Sequence, residues 1–395
     1  GHNNPVLKQA LLGYIEQDGI AHSLDLHTVA KQRFLEAFHD MVLAPRGLDY
    51  VVQFTGPTGA NAVEAALKLA RKVTGRSGIV CFTNGFHGVS LGALAATGNR
   101  HFRRAAGVPL AGATAMPYDG YLGPGIDTLD YFERLLDDPS SGLDEPAAVL
   151  VETIQGEGGL TAARSGWLKR LQALCGKHGI VFIVDDIQAG CGRSGSFFSF
   201  EEAGLKPDMV TLSKSLSAFG LPMAVVLIKR ALDVWKPAEH NGTFRGNNHA
   251  FVTAAAALRH YWSTPDFAAE VTARSDHLGE RLTALAERHP DHIAEVRGRG
   301  MMRGLCCRDA GLAAKVTAQA WDHGLIIERS GSFDEVIKFL MPLTTGQAEM
   351  DEGLDILGEA MNQVFVGSDG ARKVHAIRAA DGANGMTAPA AAMTL

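Results

Sequence analysis

The sequence predicts an α/β fold: a large domain built on a mostly parallel mixed sheet covered by helices, followed by a smaller C-terminal α/β domain. Three observations carry this. Short apolar runs alternate with amphipathic helical stretches as far as Ile228. The runs are apolar at successive positions rather than at every second one, as strands buried on both faces are. The chain has 395 residues, 46% hydrophobic and 20% charged, enough for one large or two medium domains with a sizeable core.

Taken in order, 29–43 has helical periodicity, with Phe34, Phe38 and Met41 on one face. Residues 51–54 read as a strand, 56–59 as a tight turn and 62–72 as a helix. A strand at 79–82, helices at 89–96 and 127–136, and a strand at 147–152 follow. A helix at 167–177 stops at Gly179, and 181–184, 209–212 and 224–228 are further buried strands. After Asn247 the pattern changes to long helices at 250–262 and 267–287, then strand-loop-strand at 293–305. Strands at 325–327 and 336–340 and a closing helix at 347–364 complete the second domain. The reading divides the chain into an N-terminal segment (1–45), a large domain (46–265), a small domain (266–366) and a flexible, aperiodic tail (367–395).

Composition narrows the function. The net charge of −6, with no basic block, speaks against a nucleic-acid partner. No apolar run approaches the roughly 18 residues that span a bilayer, so no membrane association is expected. Five cysteines without CxxC spacing disfavour a disulfide framework, which fits a reducing, cytoplasmic setting. The 15 histidines show no metal-ligand spacing, so no metal is expected. Gly190-Cys191-Gly192-Arg193-Ser194-Gly195 is a poor match to a dinucleotide fingerprint, which argues against a nucleotide-dependent oxidoreductase. The start at Gly1, with neither Met nor a signal-peptide pattern, reads as a fragment.

One pair of residues stands out. Asp185 ends the apolar run 181–184, and Lys214 follows the run 209–212, 29 positions later. An amine and a carboxylate at the ends of two core strands can hold an aldehyde cofactor between them. The lysine binds the aldehyde as an imine, and the carboxylate keeps a pyridine nitrogen protonated. That is the protein's half of pyridoxal phosphate chemistry. An isolated lysine is usually a solvated surface residue; the strand-end setting is what sets Lys214 apart. Asp185 and Asp186 are adjacent on a strand and face opposite ways, so only one can meet the ring. Gln188 returns to its neighbourhood.

Other segments fit around this pair. Thr58-Gly59-Ala60-Asn61 leads into a helix, whose free N–H groups make a phosphate seat; alone, it reads more readily as an ordinary capped helix. Phe86, in Asn84-Gly85-Phe86-His87-Gly88, can stack on a pyridine face with His87 beside it, or be a core aromatic. The segment 152–159 carries Glu152, Glu157 and glycines after a strand, with Glu157 at a substrate mouth or in a solvated loop. Thr243, in a polar turn before an alanine-rich helix, can donate to a phosphate or simply belong to a helix-leading loop.

As a set, these segments resemble the class III pyridoxal-phosphate-dependent aminotransferases of fold type I, over nearly the whole chain up to about Val366. The carriers are Gly1-His2-Asn3-Asn4-Pro5, the turn and helix 58–68, Phe86-His87-Gly88, 152–158, 185–195, Lys214 and 243–247. The resemblance implies Lys214 as the imine-forming lysine, Asp185 as partner of the ring nitrogen and Gln188 near the ring hydroxyl. It implies Gly59 and Ala60 at the phosphate, with Thr58 compensating for a hydroxyl that Ala60 lacks, and Phe86 as the stacking aromatic. Thr243 is implied to reach the phosphate of a neighbouring subunit, hence a homodimer or higher oligomer with shared sites. Glu157 matches an acid that neutralises a substrate-binding arginine, and Lys338 stands where the family has that arginine, keeping the charge without the bidentate fork. The family also has a stretch preceding Gly1 that is absent from this sequence.

Within the class, 184–195 and 241–248 look most like the 2,4-diaminobutyrate:2-oxoglutarate aminotransferases of ectoine and siderophore pathways, and Lys338 fits that subgroup. The implied activity is an ω-transamination between glutamate/2-oxoglutarate and aspartate 4-semialdehyde/2,4-diaminobutyrate. Alternatives on the same scaffold are ornithine, 4-aminobutyrate or lysine transamination, or an aminomutase. A catalytically silent scaffold is disfavoured by the intact Lys214–Asp185 pair.

Overall fold

The structure is a computed structural model and describes residues 1–384. In chain order, α1 (Pro5–Glu16) and α2 (Val29–Phe38) precede β1 (Tyr50–Phe54) and α3 (Gly59–Thr74). Then come β2 (Ile79–Phe82), α4 (Leu91–Ala96), α5 (Arg100–Arg104), β3 (Ala113–Met116) and α6 (Thr128–Asp137). Next are β4 (Ala148–Val151), the short β5 (Ile154–Gln155) and β6 (Thr161–Ala162), and α7 (Ser165–His178). β7 (Val181–Asp185), β8 (Met209–Leu212), β9 (Val225–Lys229) and α8 (Asn248–Tyr261) close the large domain. The remainder is α9 (Asp266–Arg288), β10 (Ile293–Arg299), β11 (Met302–Cys307), α10 (Ala310–Asp322), β12 (Glu328–Ser330), β13 (Val336–Phe339) and α11 (Gln347–Asn384).

Seven strands form one sheet in the order β1-β9-β8-β7-β4-β2-β3. β3, β2, β4, β7 and β8 are parallel, and β9 runs antiparallel to both its neighbours. The apolar runs explain the layering. On β7, Phe182 and Val184 enter the cluster shared with α2, α7 and α8, while Val181 and Ile183 enter the cluster shared with α3 and α4. All four are buried, as strands covered on both faces require. Asp185 continues the α3 side of that alternation and Asp186 the other.

The second sheet, β10-β11-β13-β12, is antiparallel throughout and packs its apolar residues against α9, α10 and α11. A smaller cluster of Ile154, Leu160, Ala189, Met302, Cys306 and Val336 seats it on the loop that carries Glu157. The 190–195 segment serves as a clasp between the domains: Arg193 Nη1 donates to the carbonyls of Met301 (3.2 Å) and Met341 (2.9 Å).

The structure departs from the sequence reading in a few places. Leu325, Ile326 and Ile327 are not a strand; pairing begins at Glu328, where the backbone meets β13. β3 escaped notice because Ala-Thr-Ala-Met lacks an apolar run and its middle two residues are exposed at the sheet edge. α1 and the alanine-rich α10 are further elements beyond those the sequence pattern predicts. α11 runs past Val364 to Asn384, so part of the expected tail at 367–395 is helical backbone; residues 385–395 lie outside the described residues.

Candidate active site

The parallel strands of the large sheet end together, and their C-terminal ends place the chemistry, as in other open α/β sheets. β7 and β8 are paired with Asp185 opposite Thr211. Thr211 Oγ1 donates to Asp185 Oδ1 (3.0 Å), and the Ile187 amide donates to the same oxygen (3.2 Å). His87 Nδ1 lies 2.7 Å from Asp185 Oδ2, and both side chains are almost fully buried. Burial draws the His87 pKa down, but the hydrogen bond and charge of Asp185, with the charge of Glu152, carry it above its ordinary value. Asp186 faces the other side and accepts from the Ser199 amide (3.1 Å). Burial pushes its carboxyl up to about 7, so it belongs to the structural network there.

Lys214 follows β8 after an extended Ser213 and takes φ of +45°. That left-handed conformation is costly for a residue with a Cβ, and such strain concentrates at functional positions. Its side chain is exposed to the cleft. Desolvation by the cleft walls lowers its pKa; Glu157, Asp185 and Glu152 oppose this, and Lys338 adds to it. The amine is therefore easier to deprotonate than a surface lysine, as a nucleophile and base must be.

A cavity of about 260 Å³ opens between these groups, walled by Phe86, Ile187, Gly59, Ala60, Gly88, Asp185, Gln188 and Lys214. Gly59 and Ala60 are the first residues of α3, so their N–H groups point into it with the positive end of a 16-residue helix. Thr58 caps that helix: its Oγ1 accepts from the Asn61 amide (3.2 Å) and donates to Asn61 Oδ1 (3.0 Å). It is absent from the cavity wall. Gly88 has φ of +124°, and a Cβ there would sit 2.7 Å from the Ala60 Cβ. Gly88→Ala is expected to destabilise by about 1–3 kcal/mol and to push the start of α3 outward. Thermal melts should then show a smaller stabilisation by added pyridoxal phosphate than in the wild type; an equal shift would refute this use of Gly88.

At the mouth, Glu157 Oε1 accepts from Gln188 Nε2 (3.0 Å) and from Lys338 Nζ (2.9 Å). Burial raises the Glu157 pKa, but Lys338, Gln188 and Lys214 together bring it below the usual carboxylate value. Lys338 lies on β13 opposite Glu328 of β12, and its buried Nζ is 3.3 Å from Glu328 Oε2. Thr243 is exposed on a turn and is not part of this cavity. Three contributors were not singled out from sequence. Ile187, in the turn two residues after Asp185, lines the cavity beside Gly59. Glu152 ends an apolar run just as Asp185 does. Glu328 had no local signal, since only strand register brings it to Lys338.

The fit to a phosphorylated pyridine aldehyde rests on these features. Phe86 and Ile187 give the cavity apolar lining, Asp185 an anionic group and α3 an anion seat. Gln188 Oε1 is buried without a partner, as an acceptor for a ring hydroxyl would be.

Comparison with known proteins agrees. The aminotransferase class-III family profile matches residues 1–361, so the chain belongs to that family. It is a pyridoxal-phosphate-dependent transaminase. Among its relatives, the diaminobutyrate–2-oxoglutarate transaminase of Vibrio cholerae is 59% identical over 357 residues, covering 90% of this chain and 86% of that protein. The Halomonas elongata enzyme of the same name is 57% identical over 368 residues, covering 92% of this chain and 87% of that one. The fold matches lysine aminotransferase from M. tuberculosis with TM-score 0.80 at 24% identity, covering 92% and 87% of the two chains. It matches ornithine aminotransferase from Toxoplasma gondii with TM-score 0.77 at 26% identity, covering 92% and 82%. Among the described residues no helix is long and apolar enough to cross a membrane.

Proposed function

We propose that this transaminase moves an amino group between glutamate/2-oxoglutarate and aspartate 4-semialdehyde/2,4-diaminobutyrate. What carries the reading is the identity of 56–59% to several diaminobutyrate–2-oxoglutarate transaminases over nine-tenths of the chain. When bound, pyridoxal phosphate supplies an electron sink for the carbon that exchanges its amine. The chain's residues do the rest. Lys214 Nζ anchors the cofactor and then takes and returns the proton at that carbon. Asp185, oriented by His87, Thr211 and the Ile187 amide, would accept the ring N–H. The first amides of α3 would hold the phosphate, and Phe86 and Ile187 would line the ring. Lys338 receives a substrate carboxylate when Glu157 is displaced from it. A second copy of the chain completes the site, with Thr243 of one protomer at the phosphate of the other; its exposure on a turn supports this.

The test is a donor panel. Purified holoenzyme with 2-oxoglutarate is given 2,4-diaminobutyrate, ornithine, lysine or 4-aminobutyrate, and glutamate is measured. We expect kcat/KM for diaminobutyrate to exceed that for ornithine by about 10- to 200-fold, the discrimination available from one methylene. Equal or better use of ornithine or lysine would overturn the assignment. An isomeric diamino acid formed without glutamate would point to a mutase.

A further inference from the structure

Glu152 has no assigned role, yet it lines the cavity and has unusual connections. It stands at the end of β4 and is buried, 7% exposed. Its Oε2 accepts the Phe86 amide (2.9 Å) and its Oε1 accepts the Gly156 amide (3.1 Å). The first amide belongs to the ring-stacking residue. The second belongs to the residue before Glu157. The same two loops are stitched again by Gln155 Nε2 donating to the Thr83 carbonyl (2.7 Å). The Tyr118 hydroxyl holds the strand end through the Glu152 carbonyl (2.8 Å).

We propose that Glu152 is a positioning residue: its ionised carboxylate ties the loop that presents Phe86 to the cofactor ring to the loop that presents Glu157 at the substrate mouth. The chemistry requires ionisation. Two N–H donors need two acceptor oxygens, and a carboxylate offers both as strong, charged acceptors; an amide turns a donor against one of them, and a carboxylic acid keeps there only a weak hydroxyl acceptor. The charged and titratable groups around it are His87, Asp185, Lys214 and the Tyr118 phenol. Burial raises the Glu152 pKa to about 7, with Asp185 adding to the rise and His87 and the two amides opposing it. Protonation therefore falls in a range the enzyme meets, and it weakens the Glu152 link between the loops, leaving the Gln155–Thr83 bond as the other tie. This role rests on the transaminase chemistry and holds whichever diamine is the substrate.

The test is Glu152→Gln in the holoenzyme, with any donor the panel finds active. The variant should keep the visible absorbance of bound cofactor. Its kcat/KM for the amino donor should fall about tenfold, the loss of one charge-assisted hydrogen bond. The acid limb of the wild-type kcat/KM profile, near neutral pH, should disappear. A limb that belongs to Lys214 would stay, so an unchanged acid limb overturns the proposal. Should the variant not fold, hydrogen exchange in the wild-type holoenzyme decides. Protection of the peptides containing Phe86 and Gly156 should fall together as pH drops through neutrality, and independent or pH-insensitive protection overturns the proposal.

Discussion

Lys214→Ala lowers turnover by about ten-thousandfold or more, since one side chain supplies both the covalent anchor and the proton-transfer group. The visible band of lysine-bound cofactor disappears with it. Stability is expected to change little, within about 0.5 kcal/mol, because the side chain is exposed to the cleft and makes no core contact. Lys214→Gly sharpens the point. At φ of +45° a glycine relieves the backbone strain, so this variant is expected to melt above the wild type while being equally inactive. Steady-state rates, absorbance spectra and melting curves on the three proteins check this. A variant that retains both the band and turnover would falsify the assignment of Lys214.

Asp185→Asn keeps the shape of the side chain and removes its charge. The ring nitrogen then loses its anionic partner in a buried setting, and kcat is expected to fall about 100- to 1000-fold. The visible band persists, because Lys214 is intact, which separates the two roles. His87 should change as well. Its raised pKa means the His87–Asp185 pair contributes stability that is fully present below the ordinary imidazole value. That contribution is lost as pH rises through the raised value. The pH dependence of melting in that window should flatten in Asp185→Asn. Near-wild-type turnover by this variant would sink the reading of Asp185 as the ring partner.

The strands and their chemistry were legible because burial on both faces leaves an unmistakable local trace. Four apolar residues in succession and then a carboxylate at 185, or the mostly apolar Met209-Val210-Thr211-Leu212 two positions before a lysine at 214, mark strand ends in a covered sheet. The opposite facing of Asp185 and Asp186 also followed from the period of a strand, and their partners, His87 on one side and Ser199 on the other, agree. Edge elements were less visible, because β3 has one exposed side and no apolar run. The helix start at Gly59 was readable as a turn, but the use of Thr58 as its cap was not separable from a ligand contact until the hydrogen bonds were seen.

By itself, then, the sequence determined the layered α/β plan and picked out the amine and the acid that meet at the cavity. Local periodicity and strand-end composition are enough for that. Tertiary structure alone decided which distant groups share the mouth. Glu157 and Lys338 meet across 181 positions, and Glu328 joins them through the β12–β13 register. Glu152 spans two loops whose amides have no sequence signature. Thr243 stands apart from the cavity of its own chain. Such meetings depend on how one sheet seats on the other through Ile154, Leu160, Met302 and Val336, and packing between domains has no period to read.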